Sequence, residues 1–300
     1  MQNAAIVYLT RQRDLWIFVH SLKLLFKNLN RENKYPVIVF HDDITPVIIS
    51  NILVELHNFL GYLPNVKFEK VAFVLPDSVS PDPAKYVMEG EHPTIQQFPL
   101  GYRHMCRFFA GMIFNHPTML KYKYYMRVDS DSFMLSTVQK DPFEWMAENK
   151  FIYADYPFGS ETPKEIEWAR RGMWECVKEF IESNRGRISN PPTEWDGELY
   201  NTNFEICDMD FFRTKEYQDY FKHIDSTGNI FYRRWGDHVI RWLGIKMFMP
   251  DSVGAMSDLN FCYQHGSYAG NPKLAEKESI DILPEPFKGC YFQVFKWELI

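Results

Sequence analysis

Two carboxylates one residue apart, Asp129 and Asp131, close the run Tyr122 to Phe133, which reads YKYYMRVDSDSF. Tyr124 to Val128 has the β-branched and aromatic make-up of a buried strand, so the pair falls where a strand runs out into a loop. Like charges a few ångströms apart raise each other's pKa or repel, and a divalent cation removes that cost. Oxygen ligands suit Mg²⁺ or Mn²⁺, which keep coordination positions for substrate phosphates. One reading is therefore a DxD element that bridges a metal to the diphosphate of a sugar nucleotide. The other is an ordinary turn in which an Asp caps the next segment.

Further candidates lie later in the chain. Glu205 stands inside the strand-like part of Tyr200 to Phe212, YNTNFEICDMDFF, between Phe204 and Ile206. It lies either on the solvent face of an edge strand or in a cleft. Asp237 ends IFYRRWGD and either caps the segment His238 to Phe248 or takes part in chemistry. His265, in FCYQHG, is either a hydrogen-bonded structural residue or a ligand.

These residues need a frame. Ala4 to Thr10 is an apolar run ending at Arg11, and from Leu15 to Leu29 apolar residues recur at helical spacing. Tyr35 to Phe40 reads as a second buried strand, Pro46 to Leu60 as an amphipathic helix and Val66 to Val74 as a third strand. That alternation predicts an α/β fold, a mostly parallel central sheet with helices on its faces. Ligands bind such sheets beyond the carboxyl ends of the strands, which is where Arg11, His41 and Asp129 fall. Leu75 to Pro99, rich in proline and acid, predicts a long loop, and Gly101 to Asn115 a helix with Tyr102, Arg103 and His104 near its start. Phe151 to Ala154 predicts a strand, and Glu165 to Ser183 a long helix.

The 300 residues are 46% hydrophobic, 17% aromatic and 24% charged, enough for a large core and stacking surfaces for a sugar or base. A net charge of −6 argues against nonspecific nucleic-acid binding. The five cysteines form no CxxC pair, which excludes a zinc site of that kind and an obvious disulfide framework. The first apolar run is about seven residues, against the ~20 of a membrane span, and no signal peptide is recognisable. These features together favour a reducing, cytoplasmic setting, with the Golgi lumen as the alternative where an anchor precedes the chain.

From about Ala4 to Gly266 the blocks GYRHMCRFF, KYYMRVDSDSF, NFEICDMDFFRTKEYQDYF, DSTGNIFYRRWGD and YQHG, in this order, resemble the fungal Golgi α-1,2-mannosyltransferase family. The resemblance implies one GT-A glycosyltransferase domain over 1–300, Rossmann-like, with nucleotide binding to about residue 135 and acceptor binding and catalysis from about 136. It implies Mn²⁺ (or Mg²⁺), GDP-mannose as donor, a glycan hydroxyl as acceptor and retention of configuration. Asp129 and His265 match the family's metal ligands, and Glu205 the proposed nucleophile or stabiliser of the cationic transition state. Asp237 matches the acid of the WGD motif, Tyr102 a tyrosine lining the reaction centre, and Arg11 a nucleotide contact. Asp131 is expected on the metal or the ribose. Asp129-Ser130-Asp131 stands where the family generally carries Glu-Pro-Asp, one methylene longer at the first carboxylate. A different sugar nucleotide, a metal-dependent hydrolase and a non-catalytic carbohydrate-binding relative are the alternatives.

Overall fold

Strand β1 (Ala4–Leu9) explains how the first third of the chain folds. Ala5 and Val7 enter one apolar layer, and Ala4, Ile6 and Tyr8 the other, because successive side chains on a strand point to opposite faces. A strand covered on both faces has no solvent-facing side for polar alternates, and β1 accordingly reads as an unbroken apolar run. Each large apolar side chain buried this way contributes about 1.5–3 kcal/mol relative to exposure. A computed structural model describes residues 1–32, 34–82, 85, 99–156, 170–265 and 268–288.

β1 pairs in parallel with β2 (Val37–His41), and β2 with β3 (Val66–Lys70). On its other side β1 pairs in parallel with β4 (Tyr124–Val128). Three more strands extend the sheet past β4: β6 (Tyr153–Asp155), β7 (Phe204–Asp208) and β8 (Val253–Ala255). The order is β3-β2-β1-β4-β7-β6-β8, and β7 runs antiparallel to both of its neighbours. A small antiparallel sheet, order β10-β9-β5, consists of β5 (Ser132–Met134), β9 (Tyr263–His265) and β10 (Tyr268–Gly270). The mostly parallel sheet expected from the alternation is thus present.

The main helices are α1 (Leu15–Asn28), α2 (Pro46–Leu60), α3 (Leu100–Ala110), α4 (Pro142–Asn149), α5 (Met173–Ser183), α6 (Lys215–Ser226) and α7 (Asp237–Phe248). α1, α2 and α4 pack into one layer, and α3, α5, α6 and α7 into the other. α2 has the predicted bounds because its ends are marked: Thr45 accepts from the Ile48 amide, Pro46 fills the first position, and Gly61 ends it at φ 78°. Among the described residues no helix is long and apolar enough to cross a membrane.

Some expectations shift. β3 ends at Lys70 rather than Val74, and the strand expected at Phe151–Ala154 runs Tyr153–Asp155. The helix expected over Gly101–Asn115 breaks at Gly111, where the Phe221 ring fills the space a Cβ would need. The helix expected from Glu165 is seen over Met173–Ser183, with 165–169 outside the described residues, as is most of the loop expected over Leu75–Pro99.

Candidate active site

Beyond the carboxyl ends of β1, β2 and β4 lies a cavity of about 480 Å³, whose walls include Arg11, Asp42, Tyr102, Asp129, Asp131 and His265. A second cavity of about 470 Å³ adjoins it and shares Tyr102, Met105, Arg127, Asp129 and His265. Its far wall is the segment 199–203 together with Arg234, Asp237 and His238. The two are lobes of one cleft with a common partition. Six of the seven candidate residues, Arg11, Tyr102, Asp129, Asp131, Asp237 and His265, line it.

The turn after β4 is tied from three directions. The Asp129 amide donates to the Asn203 carbonyl at 3.0 Å, and the Ser132 amide to the Asp129 carbonyl at 3.0 Å. Pairing of β5 with β9 puts Ser132 opposite His265, so a residue 133 positions away arrives beside the turn through register alone. His265 Nδ1 lies 3.5 Å from Asp131 Oδ1 and 3.2 Å from Ser132 Oγ. Tyr263 braces the same corner, its hydroxyl 2.6 Å from Ser132 Oγ and donating to Asn203 Oδ1 at 3.0 Å.

Arg127, only 2% exposed, is the hub of the partition. Its Nε donates to Asp129 Oδ1 at 2.7 Å and its Nη2 to Asp129 Oδ2 at 3.2 Å, while Nη1 donates to Asp237 Oδ2 at 2.6 Å. The guanidinium lies 3.9 Å from the centre of the Phe109 ring. Burial pushes the Asp237 carboxyl up, but Arg127 and the neighbouring His238 pull it further down, leaving it well below the usual carboxylate range. For Asp129 burial pushes upward against the same guanidinium and prevails. Asp237 is not the cap of α7: Gly236 holds that position with no side-chain bond, and the Asp237 carboxylate is engaged across the partition.

Glu205 differs from both readings made of it. β7 is interior to the sheet, so its glutamate is not on the solvent face of an edge, and it lines neither lobe. It is 0% exposed and sits opposite Arg127 in the β4–β7 register. Tyr125 donates to its Oε1 at 2.7 Å and Arg241 Nη2 at 3.0 Å. Burial pushes its carboxyl up against the pull of Arg241 and Arg127. Arg241 follows Asp237 by four residues on α7, so one helix face presents an acid to Arg127 and a base to Glu205. On the far side Asp155 of β6 is in register with Glu205, and burial raises its carboxyl to about 7.

Arg11 follows β1 and donates from Nε to Asp14 Oδ2 at 3.1 Å at the rim of the first lobe. Tyr102, in the first turn of α3, faces both lobes, with the Arg234 guanidinium 5.7 Å from its ring centre. Burial pushes the Tyr102 phenol well above its ordinary value. Arg127, Arg241 and Asp155 are the residues sequence reasoning missed. Their signal was a charge inside an otherwise apolar strand or helix, since a buried charge needs a partner.

The donor chemistry fits a hard divalent cation. A carboxylate and an imidazole stand side by side at Asp131 and His265, with the Asp129 carboxylate on the same wall. Among the described residues no three such side chains converge on one point.

A family model described as glycolipid 2-alpha-mannosyltransferase matches residues 1–279. The chain is similar to O-glycoside alpha-1,2-mannosyltransferase omh1 of Schizosaccharomyces pombe, 30% identical over 275 residues, covering 86% of this chain and 68% of that one. It is equally similar to glycolipid 2-alpha-mannosyltransferase 1 of Candida albicans, 30% identical over 288 residues, covering 90% and 64%. It thus spans about two thirds of the length of these curated relatives. Among solved structures it resembles core-mannan synthase A of Aspergillus fumigatus in its Mn/GDP form, with TM-score 0.77, 24% identity and coverage of 92% and 78%. It also resembles the mannosyltransferase Ktr4p of S. cerevisiae in complex with GDP, with TM-score 0.75, 22% identity and coverage of 98% and 82%. The fold is therefore that of a GT-A glycosyltransferase.

Proposed function

Because the chain belongs to the glycolipid 2-alpha-mannosyltransferase family, we propose that it transfers mannose from GDP-mannose to a glycan hydroxyl with Mn²⁺, forming an α-1,2 linkage with retention. The observation that carries this reading is the two-lobed cleft, whose partition holds Tyr102, Arg127, Asp129 and His265. The first lobe, built mostly from residues before 135, takes the nucleotide, and the second takes the acceptor.

Asp131 and His265, with Asp129 on the same wall, would be the residues to hold the cation, which would supply charge neutralisation for a departing diphosphate. Arg11 at the rim of the first lobe contacts the nucleotide, and Tyr102 lies between donor sugar and acceptor. Arg127 fixes Asp129 and Asp237 on the two sides of the partition. Asp237, held ionised, is the group available to an acceptor hydroxyl in the second lobe. Glu205, buried behind the partition, acts by its field on the cationic sugar rather than by attack. The acceptor then enters on the face the diphosphate leaves, which conserves configuration without a glycosyl-enzyme.

The test is incubation with GDP-mannose, Mn²⁺ and α-mannoside acceptors, with the product linkage read by NMR. A new α-1,2-mannoside is expected. Free mannose as the sole product points to a hydrolase, and turnover with UDP-sugars but not GDP-mannose overturns the donor assignment.

A further inference from the structure

The segment 199–203 walls the second lobe without being part of any helix or strand. Its lower end is fastened to the metal-side turn through the Asn203 carbonyl and side chain. Its middle is fastened to β6. Asp155, the last residue of that strand and 8% exposed, accepts a hydrogen bond at Oδ2 from the Asn201 amide at 2.9 Å. Two residues earlier on β6, the Tyr153 ring lies 4.6 Å from the Tyr200 ring, a second tie to the same segment. An isolated loop amide gains little from water-competed bonds, but a bond to a buried acceptor is shielded from that competition.

We propose that Asp155 is a positioning residue for the acceptor: it clamps 199–203 onto the central sheet, and acceptor affinity depends on that clamp while donor affinity does not. The inference rests on the reading of the second lobe as the acceptor site. Asp155 touches neither lobe itself, so its influence on a ligand passes through the Asn201 backbone. The donor side is less exposed to the clamp because no residue of 199–203 lines it; its walls include the residues after β1, β2 and β4 and the first turns of α1 and α3.

The experiment compares wild type with Asp155→Ala and Asp155→Asn. Asparagine keeps an oxygen that accepts the Asn201 amide, and alanine does not. Asp155→Ala is expected to raise the KM for a mannoside acceptor about tenfold, with the KM for GDP-mannose within about twofold. Asp155→Asn is expected to restore most of the acceptor KM. Equal rises in both KM values, or an unchanged acceptor KM in Asp155→Ala, would overturn the proposal. Amide hydrogen exchange on 197–204 gives a readout free of any activity. Faster exchange there in Asp155→Ala, with Asp155→Asn and the rest of the chain near wild type, is the expected result, and unchanged exchange refutes the clamp. A wild type that transfers no mannose but shows this exchange pattern refutes the functional reading and leaves the clamp standing.

Discussion

Replacing Arg127 with methionine tests the partition most directly. Methionine keeps apolar contact with the Phe109 ring, 3.9 Å from the guanidinium, and removes the charge. What remains is Asp237, 2% exposed at its side chain, without the ion pair now made at 2.6 Å. Breaking a buried pair on one side costs about 3–5 kcal/mol. The Asp129 side chain, 28% exposed, adds at most about 1 kcal/mol after solvent screening. For a chain of this length about 2 °C of Tm accompanies each kcal/mol, so a drop of about 6–12 °C is expected at pH 7.5. The pH dependence carries a sign. In the wild type Asp237 is held below its unfolded value, so its contribution is present above that value, 3.8, and is lost only in strong acid. In the variant the buried carboxyl is pushed above 3.8, and its protonation relieves the strain as the pH falls. The gap between the two proteins should therefore narrow from pH 7.5 to 5 in calorimetric melts. Adding Asp237→Asn to the variant should recover part of the loss. A shift below about 2 °C, or a gap that is constant or widens on acidification, refutes the claim that this pair holds the partition together.

Glu205→Gln should lower kcat about a hundredfold with KM within about threefold, because a field acts mainly as charge develops on the sugar; a change confined to KM counts against it, and a sugar adduct on Glu205, trapped with a slow donor and seen by intact mass, refutes the front-face route. His265→Ala should weaken Mn²⁺ binding in the presence of GDP at least about tenfold by titration calorimetry, and Asp129→Ala should abolish metal-dependent transfer with the fold intact by circular dichroism. Metal affinity or transfer at wild-type level in either variant removes that residue from the cation site. Asp155 has its carboxyl raised from 3.8 to about 7, so its stabilising contribution is full below 3.8 and lost as the pH rises through about 7. At about 1.4 kcal/mol per pH unit this amounts to no more than about 4.5 kcal/mol. Asp155→Asn should therefore gain stability relative to wild type between pH 5 and 8 in denaturant titrations, and a constant difference would remove that charge from the balance.

Elements whose character is local were readable beforehand. β1 and the first four residues of β2 are apolar runs because both faces are covered, and α2 carries its own start and stop residues. The carboxylate pair at Asp129 and Asp131 was visible because its cost arises between near neighbours in sequence. What escaped depends on pairings between distant residues. A five-residue strand bearing a glutamate looks the same whether interior or at an edge, and only pairing with β4 and β6 makes β7 interior. Asp237 sits where a cap is found, but Gly236 takes that role and Arg127, 110 residues away, takes the carboxylate. Nothing near Arg127 in sequence announces Asp237, and nothing near Arg241 announces Glu205.

The common partition has a consequence for inhibition. A compound filling one lobe leaves Tyr102, Arg127 and His265 half covered, and it competes only with its own substrate. A single molecule joining a guanosine head to a mannoside by a short tether would cover that wall from both sides. Its second half would bind at the high local concentration the first half creates. The lobes adjoin so closely that the best tether is a short one, and lengthening it should steadily forfeit the advantage.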